Sequence, residues 1–329
     1  MLADSYGRIA TDLRVSLTDR CNLRCAYCMP AEGLDWLPRP ALLTDDEVAR
    51  LVRIGVELLG ITEIRFTGGE PLLRRGLPGI VARAAALRPR PEISVTTNGI
   101  GLDRLVGPLR AAGLDRVNVS LDTLRPDAFK TLARRDRLDD VLRGLAAAAD
   151  AGLIPVKINT VLMRGVNDGE AAELLRFCLD HGYQLRFIEQ MPLDAQHGWR
   201  RENMVTAAEI MDTLSAEFIL TPDDSAARGS APAETFLVDG GPEKVGIIGS
   251  VTRPFCGACD RVRLTADGQV RNCLFAQDES NLRDPMRSGA TDEELAELWR
   301  RAVAIKLPGH GINEPGFLQP VRPMSAIGG

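Results

Sequence analysis

From about residue 10 to residue 190, short runs typical of β-strands alternate with amphipathic helical patterns. The runs with strand character cover residues 13–17, 63–67, 92–97, 116–121, 155–162 and 184–189. Helical periodicity fills the segments between them, at residues 44–59, 77–87, 105–112, 138–151 and 168–181. Because strands separated by helices pair in parallel, the alternation predicts an α/β fold whose sheet is doubly wound or curved into a barrel.

Several of these strands carry polar residues on one face, whereas buried parallel strands usually read as continuous apolar runs. The polar positions are Arg14, Ser16 and Thr18; Arg65 and Thr67; Ser94, Thr96 and Asn98; Asn118, Ser120 and Asp122; and Lys157 and Asn159. Helices between the strands favour polar faces that line a shared cavity, and the alternative is a sheet with one exposed face. Barrel-type sheets place their chemistry at the carboxyl ends of the strands.

After residue 192 the alternation ends. The pattern predicts a helix at residues 206–220, a surface loop at 221–233, β-runs at 235–238, 244–248, 261–265 and 269–274, and a helix at 291–305. We therefore predict a first domain at residues 1–200 and a smaller α+β region at 201–329. The tail after Lys306 is dense in Gly and Pro but keeps apolar residues, which favours an ordered strap over a mobile terminus.

Composition is that of an ordinary globular protein, with 45% hydrophobic residues and a net charge of -5. The net charge argues against a general nucleic-acid binder. No apolar run approaches the roughly 18 residues of a membrane span. The first residues lack the basic-then-apolar pattern of a secretion signal, so we expect a cytoplasmic protein without a membrane anchor.

The cysteines form two groups of three and one single residue: Cys21, Cys25 and Cys28; Cys256, Cys259 and Cys273; and Cys178. In a reducing compartment, clustered cysteines are more often metal ligands than disulfides. Three thiolates are one short of a closed zinc site or an all-cysteine iron–sulfur site. For the second group, spaced C-x2-C-x13-C, zinc with Asp260 or water as a fourth ligand remains open, and we expect Cys178 to be a buried free thiol.

The first group, C-x3-C-x2-C, with Gly68-Gly69-Glu70-Pro71 after the next predicted strand, resembles the signature of the radical S-adenosylmethionine (SAM) superfamily. Nearly the whole chain resembles the MoaA family, which cyclises GTP in molybdenum cofactor biosynthesis. The matching stretches are residues 7–8, 13–21, 66–72, 97–99, 118–122, 187–192, 255–264 and 322–329. The resemblance implies an incomplete (β/α)6 TIM-type barrel, followed by a smaller α+β region that carries a second iron–sulfur cluster.

The resemblance also implies ligands and roles for individual residues. Cys21, Cys25 and Cys28 would hold a SAM-cleaving [4Fe–4S] cluster, and Cys256, Cys259 and Cys273 a second one that meets the guanine. Tyr27, Gly69, Ser120 and Met191 match SAM contacts. Arg14, Arg65, Thr96, Lys157, Arg261 and Arg263 match GTP contacts, with Arg186 as an addition. Arg14, Arg261, Arg263, Gly328 and Gly329 would serve catalysis, the two glycines by entering the active site.

The implied activity is that of a GTP 3′,8-cyclase. A 5′-deoxyadenosyl radical takes hydrogen from ribose C3′, the carbon radical attacks guanine C8, and reduction gives 3′,8-cyclo-7,8-dihydro-GTP. The implied partners are a flavodoxin or ferredoxin electron donor and, downstream, cyclic pyranopterin monophosphate synthase; a homodimer is left open. Two other hypotheses are a radical SAM enzyme that modifies peptides with an auxiliary cluster, and a non-enzymatic zinc-binding interaction protein.

Overall fold

The computed structural model describes residues 1–225 and 228–328. Its strands in chain order are β1 (Leu2–Ala3), β2 (Ile9–Ala10), β3 (Asp12–Ser16), β4 (Glu63–Thr67), β5 (Glu92–Thr97), β6 (Arg116–Ser120), β7 (Lys157–Val161), β8 (Gln184–Ile188), β9 (Leu220–Pro222), β10 (Glu234–Val238), β11 (Lys244–Ile248), β12 (Arg261–Leu264), β13 (Gln269–Arg271) and β14 (Ser280–Asn281). The six strands predicted in the first half of the chain are all present.

The helices connect these strands or lie beyond them. They are α1 (Asp45–Leu59), α2 (Leu77–Ala85), α3 (Leu102–Ala111), α4 (Pro126–Ala133), α5 (Leu138–Asp150), α6 (Ala171–Asp180), α7 (Ala207–Ser215), α8 (Arg283–Arg287), α9 (Asp292–Ala304) and α10 (Met324–Ile327). Among the described residues, no helix has the length and apolar character to cross a membrane.

One sheet dominates the described structure, with 12 strands in the order β14-β13-β12-β3-β4-β5-β6-β7-β8-β11-β10-β9. From β12 to β11, each strand is parallel to its neighbours. The strands beyond these two are antiparallel and form the sheet edges. The fold is therefore α/β with a mostly parallel sheet, as the alternation of strands and helices predicted.

The region after residue 200 extends both edges of the parallel sheet. Strand β12 pairs with β3, with Arg261 opposite Asp12, and β11 pairs with β8, with Ile247 opposite Phe187. The sequence predicted a smaller unit packed on the first domain, but the pairing of strands continues into this region on both sides. The boundary proposed at residue 200 thus falls within one hydrogen-bonded sheet.

Local sequence signals explain several helix ends. Capping boxes are present at Thr44, Thr206 and Thr291, where the threonine side chain and a glutamate three residues later exchange hydrogen bonds with each other's backbone N–H. Helix α1 ends at Gly60, whose φ of 82° is the left-handed conformation that glycine adopts without strain.

The main differences from the predicted elements concern short or late segments, among them the unpredicted helix Arg283–Arg287. Helix α7 ends at Ser215, and the following Leu220–Pro222 is an edge strand, although residues 206–220 were expected to be helical and 221–233 a loop. Helices Pro126–Ala133 and Met324–Ile327 were not predicted. Each is at most two turns long, so its apolar period is too short to be distinctive.

The alternation along the strands separates the core from the polar face. On β3 and β4, Leu13, Val15, Ile64 and Phe66 are buried in the main hydrophobic cluster that includes the surrounding helices. The intervening positions point to the opposite side of the sheet. The strands thus present their polar side chains to the concave interior that holds the candidate site.

The C-terminal tail is packed only in part. Ile312 and Ile327 are buried in a second hydrophobic cluster with Leu193 and Phe275, whereas Leu318 and Val321 are exposed. The middle of the tail is also held, because Phe317 packs against this cluster and Gln319 Nε2 donates to Asp194 O at 2.6 Å. The tail is therefore an ordered strap over the body, as predicted, with some side chains in solvent.

Candidate active site

A cavity of about 280 Å³ lies against the polar face of the parallel strands. Each strand from β12 to β11 contributes to its lining, through Arg261 and Arg263, Arg14, Arg65, Thr96, Ser120, Asn159, Arg186 and Ile248. Because all these strands reach one cavity, the sheet must curve around it. The prediction that polar strand positions share one cavity is confirmed for Arg14, Arg65, Thr96, Ser120, Asp122 and Asn159. The other predicted positions are outside the lining: Ser16, Thr18, Thr67, Ser94, Asn98, Asn118 and Lys157.

Most site residues predicted from the sequence lie on this cavity. They are Arg14, Tyr27, Arg65, Thr96, Ser120, Arg186, Met191, Cys256, Cys259, Arg261, Arg263 and Cys273. Within the described part of the chain, the remaining predicted residues are outside the lining: Cys21, Cys25, Cys28, Gly69, Lys157 and Gly328. Gly329, also predicted, lies outside the described residues.

Cations are crowded on the side of the cavity formed by β12, β3 and β4. The buried carboxylate of Asp12 lies 3.6 Å from Arg14 and 3.9 Å from Arg65. Burial and neighbouring arginines lower the pKa of Arg14 to about 10, and burial lowers the pKa of Arg263 well below its ordinary value. One carboxylate does not balance this group, and Arg14 Nε has no hydrogen-bond partner in the described structure. An anionic ligand would supply the missing charge.

Lys157 and Arg186 form a second cationic group, at β7 and β8. Burial, followed by Arg186 and Arg116, lowers the pKa of Lys157 to about 7. Burial, Arg116 and Arg14 lower the pKa of Arg186 to about 10. The side chain of Lys157 is outside the cavity lining, but the charge of Arg186, which lines the cavity, still lowers its pKa.

The first cysteine group lies in the loop that follows β3. The loop is held by α4, because Arg24 N and Ala26 N donate to the carbonyls of Ala133 and Leu132 at 3.0 and 2.8 Å. A turn places Cys28 N 2.9 Å from the carbonyl oxygen of Cys25. Helix α4, which the sequence did not predict, thus shapes this loop.

The three thiols of the first group lie close enough to affect one another. Burial raises the pKa of Cys25 well above its ordinary value, and Asp122, Cys28 and Cys21 raise it further. Burial and Cys21 raise the pKa of Cys28 to about 12. Three partly buried thiols that disfavour charge would become thiolates when they bind a metal cluster.

The Gly68-Gly69-Glu70 segment packs directly on the cysteine loop. A Cβ on Gly69 would lie 2.3 Å from the carbonyl oxygen of Arg20, and one on Gly68 would lie 2.4 Å from that of Thr18. Hydrogen bonds of 2.7 Å join Gly69 N to Thr18 O and Glu70 N to Arg20 O. The glycines are therefore required for the close contact of two backbone loops.

Glu70 joins this segment to the loop after β5. Its carboxylate accepts hydrogen bonds from Leu72 N at 2.9 Å and from Thr97 Oγ1 and Asn98 N at 2.7 Å. Burial raises its pKa to about 7, and these hydrogen bonds oppose the increase. Asn98 in turn donates to Asn22 Oδ1 at 2.7 Å, next to Cys21.

Tyr27 is oriented by a carboxylate at the end of β6. Its hydroxyl donates to Asp122 Oδ2 at 2.8 Å, and Asp122 Oδ1 accepts from Val161 N at 2.9 Å. Burial raises the pKa of Asp122 to about 6. The pair fixes the aromatic ring of the cysteine loop at the cavity wall, between the ends of β6 and β7.

The second cysteine group lies on the wall of the cavity, which all three of its members line. Cys256 and Cys259 are linked by a short turn with a 3.2 Å hydrogen bond from Cys259 N to Cys256 O, and Cys273 follows β13. Burial raises the pKa of Cys256, and Cys273 and Cys259 contribute to the increase, so the three thiols are near one another. The structure therefore brings the three cysteines of each predicted group near one another.

Two cationic side chains, Arg8 and Lys306, donate hydrogen bonds to the second cysteine group. Arg8 donates to the carbonyl oxygens of Cys256 and Pro308 at 2.8 and 2.9 Å. Lys306 donates to Cys259 Sγ at 3.3 Å. Burial tends to raise the pKa of Cys259, but Arg261 and Lys306 outweigh it, and the pKa is lowered.

His310 lies beside Cys256 but has no free ring nitrogen. Its Nδ1 accepts from Ile312 N at 3.1 Å, so Nε2 must carry the proton that it donates to Ser250 O at 2.9 Å. Both nitrogens are thus occupied by the protein. His310 supplies no fourth ligand for the second cysteine group in this arrangement.

The end of the tail reaches the carboxyl ends of β3 and β4. Arg263 Nη1 donates to the carbonyl oxygen of Gly328. A Cβ on Gly328, whose φ is 85°, would lie 2.3 Å from Ser16 Oγ and 2.7 Å from Thr67 Cγ2. The site therefore excludes any larger residue at this position without rearrangement.

The sequence interpretation gave no role to several residues that shape the site. Asp12, Asp122, Asn159, Lys306 and His310 contact or line it. Asp122 and Asn159 stood among the polar strand positions, which was the available signal. Asp12 and Lys306 depend on contacts between distant segments, for which the sequence carries no local pattern.

The donor sets fit iron–sulfur clusters better than a single ion. In the described residues, no three His, Cys, Asp or Glu side chains are arranged to hold one metal ion. Each cysteine group nevertheless supplies three neighbouring thiols, and three-thiolate ligation leaves one iron of a [4Fe–4S] cluster available to a further ligand.

Sequence comparisons identify two family profiles in the chain. Residues 15–178 match the Radical SAM superfamily, and residues 183–312 match Molybdenum Cofactor Synthesis C. The first match begins within β3 and covers the strands β4 to β7, and the second includes Cys256, Cys259 and Cys273.

Two crystal structures share the fold. Streptococcus suis SuiB has a TM-score of 0.62 at 15% identity, with 93% of this chain and 68% of that chain covered. The same protein bound to S-adenosylmethionine has a TM-score of 0.61 at 14% identity, with coverage of 94% and 68%. At these identities the likeness shows the radical SAM fold alone.

Full-length relatives are much more similar. A GTP 3′,8-cyclase of Streptomyces coelicolor is 68% identical over 329 residues, which span 100% of this chain and 96% of the relative. A GTP 3′,8-cyclase of Mycolicibacterium smegmatis is 62% identical over 334 residues, with coverage of 100% and 92%. The chain therefore belongs to the GTP 3′,8-cyclase family of radical SAM proteins.

Proposed function

We propose that this protein is a GTP 3′,8-cyclase of molybdenum cofactor biosynthesis. It would transfer hydrogen from ribose C3′ of GTP to a 5′-deoxyadenosyl radical and join C3′ to C8 of guanine. One electron and one proton would then reduce the cyclised radical to (8S)-3′,8-cyclo-7,8-dihydroguanosine 5′-triphosphate. The observation that carries the proposal is one cavity lined by Tyr27 of the first cysteine loop, by all three cysteines of the second group, and by arginines from β3, β4, β8 and β12. The curved sheet would be the incomplete (β/α)6 barrel.

Cys21, Cys25 and Cys28 would hold one [4Fe–4S] cluster, and Cys256, Cys259 and Cys273 a second. With SAM bound, the first cluster would supply the electron for reductive carbon–sulfur cleavage. Tyr27, Ser120 and Met191 line the wall where SAM would bind. Gly69 would contribute through its backbone, because its packing on the cysteine loop sets the shape of that loop.

The arginines would bind the triphosphate. The carboxylate of Asp12 lies near four of them: Arg14, Arg65, Arg261 and Arg263. Burial raises the pKa of Asp12, but the charges of these arginines outweigh burial, so its pKa is lowered. A triphosphate brings about four negative charges, and guanidinium groups bind phosphate oxygens in a forked geometry. Lys157 and Arg186 would extend the same contact, and Thr96, whose Oγ1 lies 3.3 Å from Asn118 Nδ2, would bind a neutral part of the nucleotide.

Three of these arginines and the tail would serve the reaction directly. Arg14, Arg261 and Arg263 reach the cavity from adjacent strands β3 and β12, and Arg263 also binds the carbonyl oxygen of Gly328. Gly328 and Gly329 would close the site over the nucleotide and limit the access of water. A protected radical site needs this exclusion because competing reactions are fast.

The remaining partners follow from the same chemistry. The reductive step requires a one-electron donor such as flavodoxin or ferredoxin, and the cyclised nucleotide would pass to cyclic pyranopterin monophosphate synthase. Low-potential clusters and free thiols suit a reducing compartment, so we propose the cytoplasm. No feature of the described chain selects between a monomer and a homodimer.

Two other functions fit the site less well. A closed zinc site at the second cysteine group would need a fourth ligand, yet the ring nitrogens of His310 are occupied and Asp260 is engaged by Thr11 at 3.2 Å and Arg261 at 3.5 Å. A peptide-modifying radical SAM enzyme would share the fold, but a peptide does not require the buried arginines around Asp12.

Anaerobic reconstitution followed by turnover tests the proposal. The purified protein should bind about eight irons per chain, as two [4Fe–4S] clusters require. With dithionite and SAM, it should form 5′-deoxyadenosine only when GTP is present. GTP deuterated at C3′ should transfer deuterium to 5′-deoxyadenosine. Formation of 5′-deoxyadenosine without transfer of deuterium, or the absence of a cyclised nucleotide, would reject it.

A further inference from the structure

Lys306 is a buried lysine next to a predicted cluster ligand. It follows α9 and is 4% exposed. Its ammonium donates to Cys259 Sγ and Cys259 O at 3.3 Å and to Arg261 O at 2.9 Å. One side chain thus contacts a cysteine of the second group and the backbone of an arginine that lines the cavity.

The surroundings of Lys306 lack a carboxylate that would neutralise it. Among the described residues, Lys306 forms no ion pair with an aspartate or glutamate. The neighbouring Asp260 lies instead 3.5 Å from Arg261 and accepts from Thr11. A buried ammonium without a counter-charge is strongly unfavourable. The sulfur of Cys259, as a thiolate, is the anionic partner that the structure offers.

The first cysteine group is built differently. In the described residues, the donors to its sulfur atoms are uncharged: Leu23 N at 3.4 Å and Asn98 Nδ2 at 3.8 Å to Cys21, and Ser325 N to Cys28. Arg24, which lies between these cysteines, directs its guanidinium to the carbonyl oxygens of Cys21 and Leu23. A charged donor on sulfur therefore distinguishes the second group from the first.

We propose that Lys306 is a positioning residue that sets the reduction potential of the second cluster and anchors Arg261. This inference rests on the proposed function, because it requires a cluster at Cys256, Cys259 and Cys273. Hydrogen bonds to ligand sulfur and nearby charge both tune cluster potentials. The ammonium stabilises the form that carries one more electron, so it raises the potential of the second cluster relative to a neutral residue at this position.

The same contact couples the cluster to the nucleotide site. Lys306 binds Arg261 O, and the side chain of Arg261 reaches the cavity from the adjacent atoms of β12. Loss of Lys306 would therefore release both Cys259 and the backbone of Arg261. A weaker affinity for GTP should accompany the change in potential.

Redox titration of the full-length, cluster-loaded protein tests the proposal. Wild type is compared with Lys306→Met, Lys306→Arg and Lys306→Gln, and with Lys244→Met as a control. Lys244 pairs with Asp223 at 2.6 Å at the start of β11, away from both cysteine groups. Dithionite is added stepwise and reduces each cluster by one electron. Electron paramagnetic resonance measures the reduced fraction of each cluster separately.

We expect the midpoint potential of the second cluster to become more negative in Lys306→Met, with the first cluster unchanged. Lys306→Arg should restore the potential, Lys306→Gln should remain low, and Lys244→Met should match wild type. GTP affinity should fall about tenfold in Lys306→Met, since a lost charge-assisted contact near the ligand is of this order. An unchanged second-cluster potential in Lys306→Met with full iron content would overturn the proposal.

Two further outcomes are decisive. Lys306→Met could lose iron from the second group, in which case Lys306→Arg and Lys306→Gln decide. Equal midpoint potentials of the second cluster in these two variants overturn the role of the charge. A higher potential in Lys306→Arg than in Lys306→Gln supports it. If wild type itself lacks a second iron–sulfur signal, both this inference and the proposed two-cluster cyclase fail. A wild type with two clusters but no effect of Lys306 rejects the inference alone.

Discussion

Arg322 and Asp267 form a two-pronged ion pair that ties the C-terminal tail to the turn between β12 and β13. Arg322 Nη1 and Nη2 lie 2.9 and 2.8 Å from Asp267 Oδ1 and Oδ2, and Glu279 lies 2.9 Å from Nη2. Asp267 is buried, so the pair is more than a surface contact. From this anchor the chain continues through α10 to Gly328 inside the site.

Arg322→Ala should therefore misplace the tail without removing the clusters. We expect cyclisation to fall about 100-fold, since small errors in positioning have effects of this size. The unfolding free energy should drop by about 1–3 kcal/mol, because the carboxylate of Asp267 loses its main partner. Product formation and iron content are measured together. Arg322→Lys, which keeps the charge but loses the forked geometry, should be intermediate; wild-type turnover in Arg322→Ala would show that the tail is held by other contacts.

Gly328→Ala should abolish cyclisation. The added Cβ would lie 2.3 Å from Ser16 Oγ, and a φ of 85° already disfavours alanine. Gly311→Ala is the matched control, because Gly311 also has a positive φ, of 70°, but nothing within 4 Å of the added atom. The control should lose only about 1–2 kcal/mol of stability from backbone strain. Deletion of Gly328 and Gly329 should likewise keep iron content and abolish cyclisation; similar turnover in the Gly328 and Gly311 variants would contradict close packing of the tail.

Gly69→Ala should impair assembly of the first cluster. The added Cβ would lie within 2.3 Å of Arg20 O and 2.5 Å of Asp19 O, so the cysteine loop would have to move. Gly79→Ala in α2, where nothing lies within 4 Å, should leave the iron content unchanged and stabilise the helix by about 0.5–1 kcal/mol. Iron analysis with separate spectra for the two clusters makes the comparison. Full occupancy of the first cluster in Gly69→Ala would refute the role assigned to the loop contact.

GTP binding should take up a proton through Lys157. The pKa of Lys157 is lowered to about 7 in the protein alone, so at pH 8 the side chain is mostly neutral. A bound triphosphate favours the ammonium and raises this pKa toward its ordinary value. Affinity should therefore fall as pH rises above about 7, until the pKa of the bound form is passed. Calorimetry in buffers of different ionisation enthalpy measures the proton. Lys157→Arg, which stays charged, should abolish the uptake, and an unchanged uptake in that variant would assign the proton to another group.

The repeating part of the fold could be predicted closely from the sequence. Glu63–Thr67 and Glu92–Thr97 have the predicted limits, because their apolar alternation begins and ends at strong breaks in the pattern. The cysteine groups and their position beside polar strand faces could also be predicted, since spacing and alternation are local properties. Of the predicted site residues, Lys157 lies outside the cavity lining, because alternation gives the face of a strand but not its depth in the barrel.

Contacts between distant segments could not be predicted in this way. Nothing in the pattern at residues 261–265 shows that Arg261 pairs with Asp12, or that Lys306 reaches Cys259. Such contacts depend on how helices and loops pack, and their chain separation leaves no periodic signal. The role of Gly69 illustrates the same limit: the motif indicated a ligand loop, whereas the structure shows a steric requirement between two backbones.

The pairing of β12 with β3 has a consequence for how the molecule is made. During synthesis the first half of the chain leaves the ribosome with β3 and β8 as open edges, and their partners β12 and β11 are translated much later. Open parallel edges are prone to mispairing until they are covered. The second cysteine group is complete only after Cys273 has been translated, which follows β12 along the chain. Gly328, which packs on Ser16 and Arg263, is translated after both cysteine groups and both covering strands.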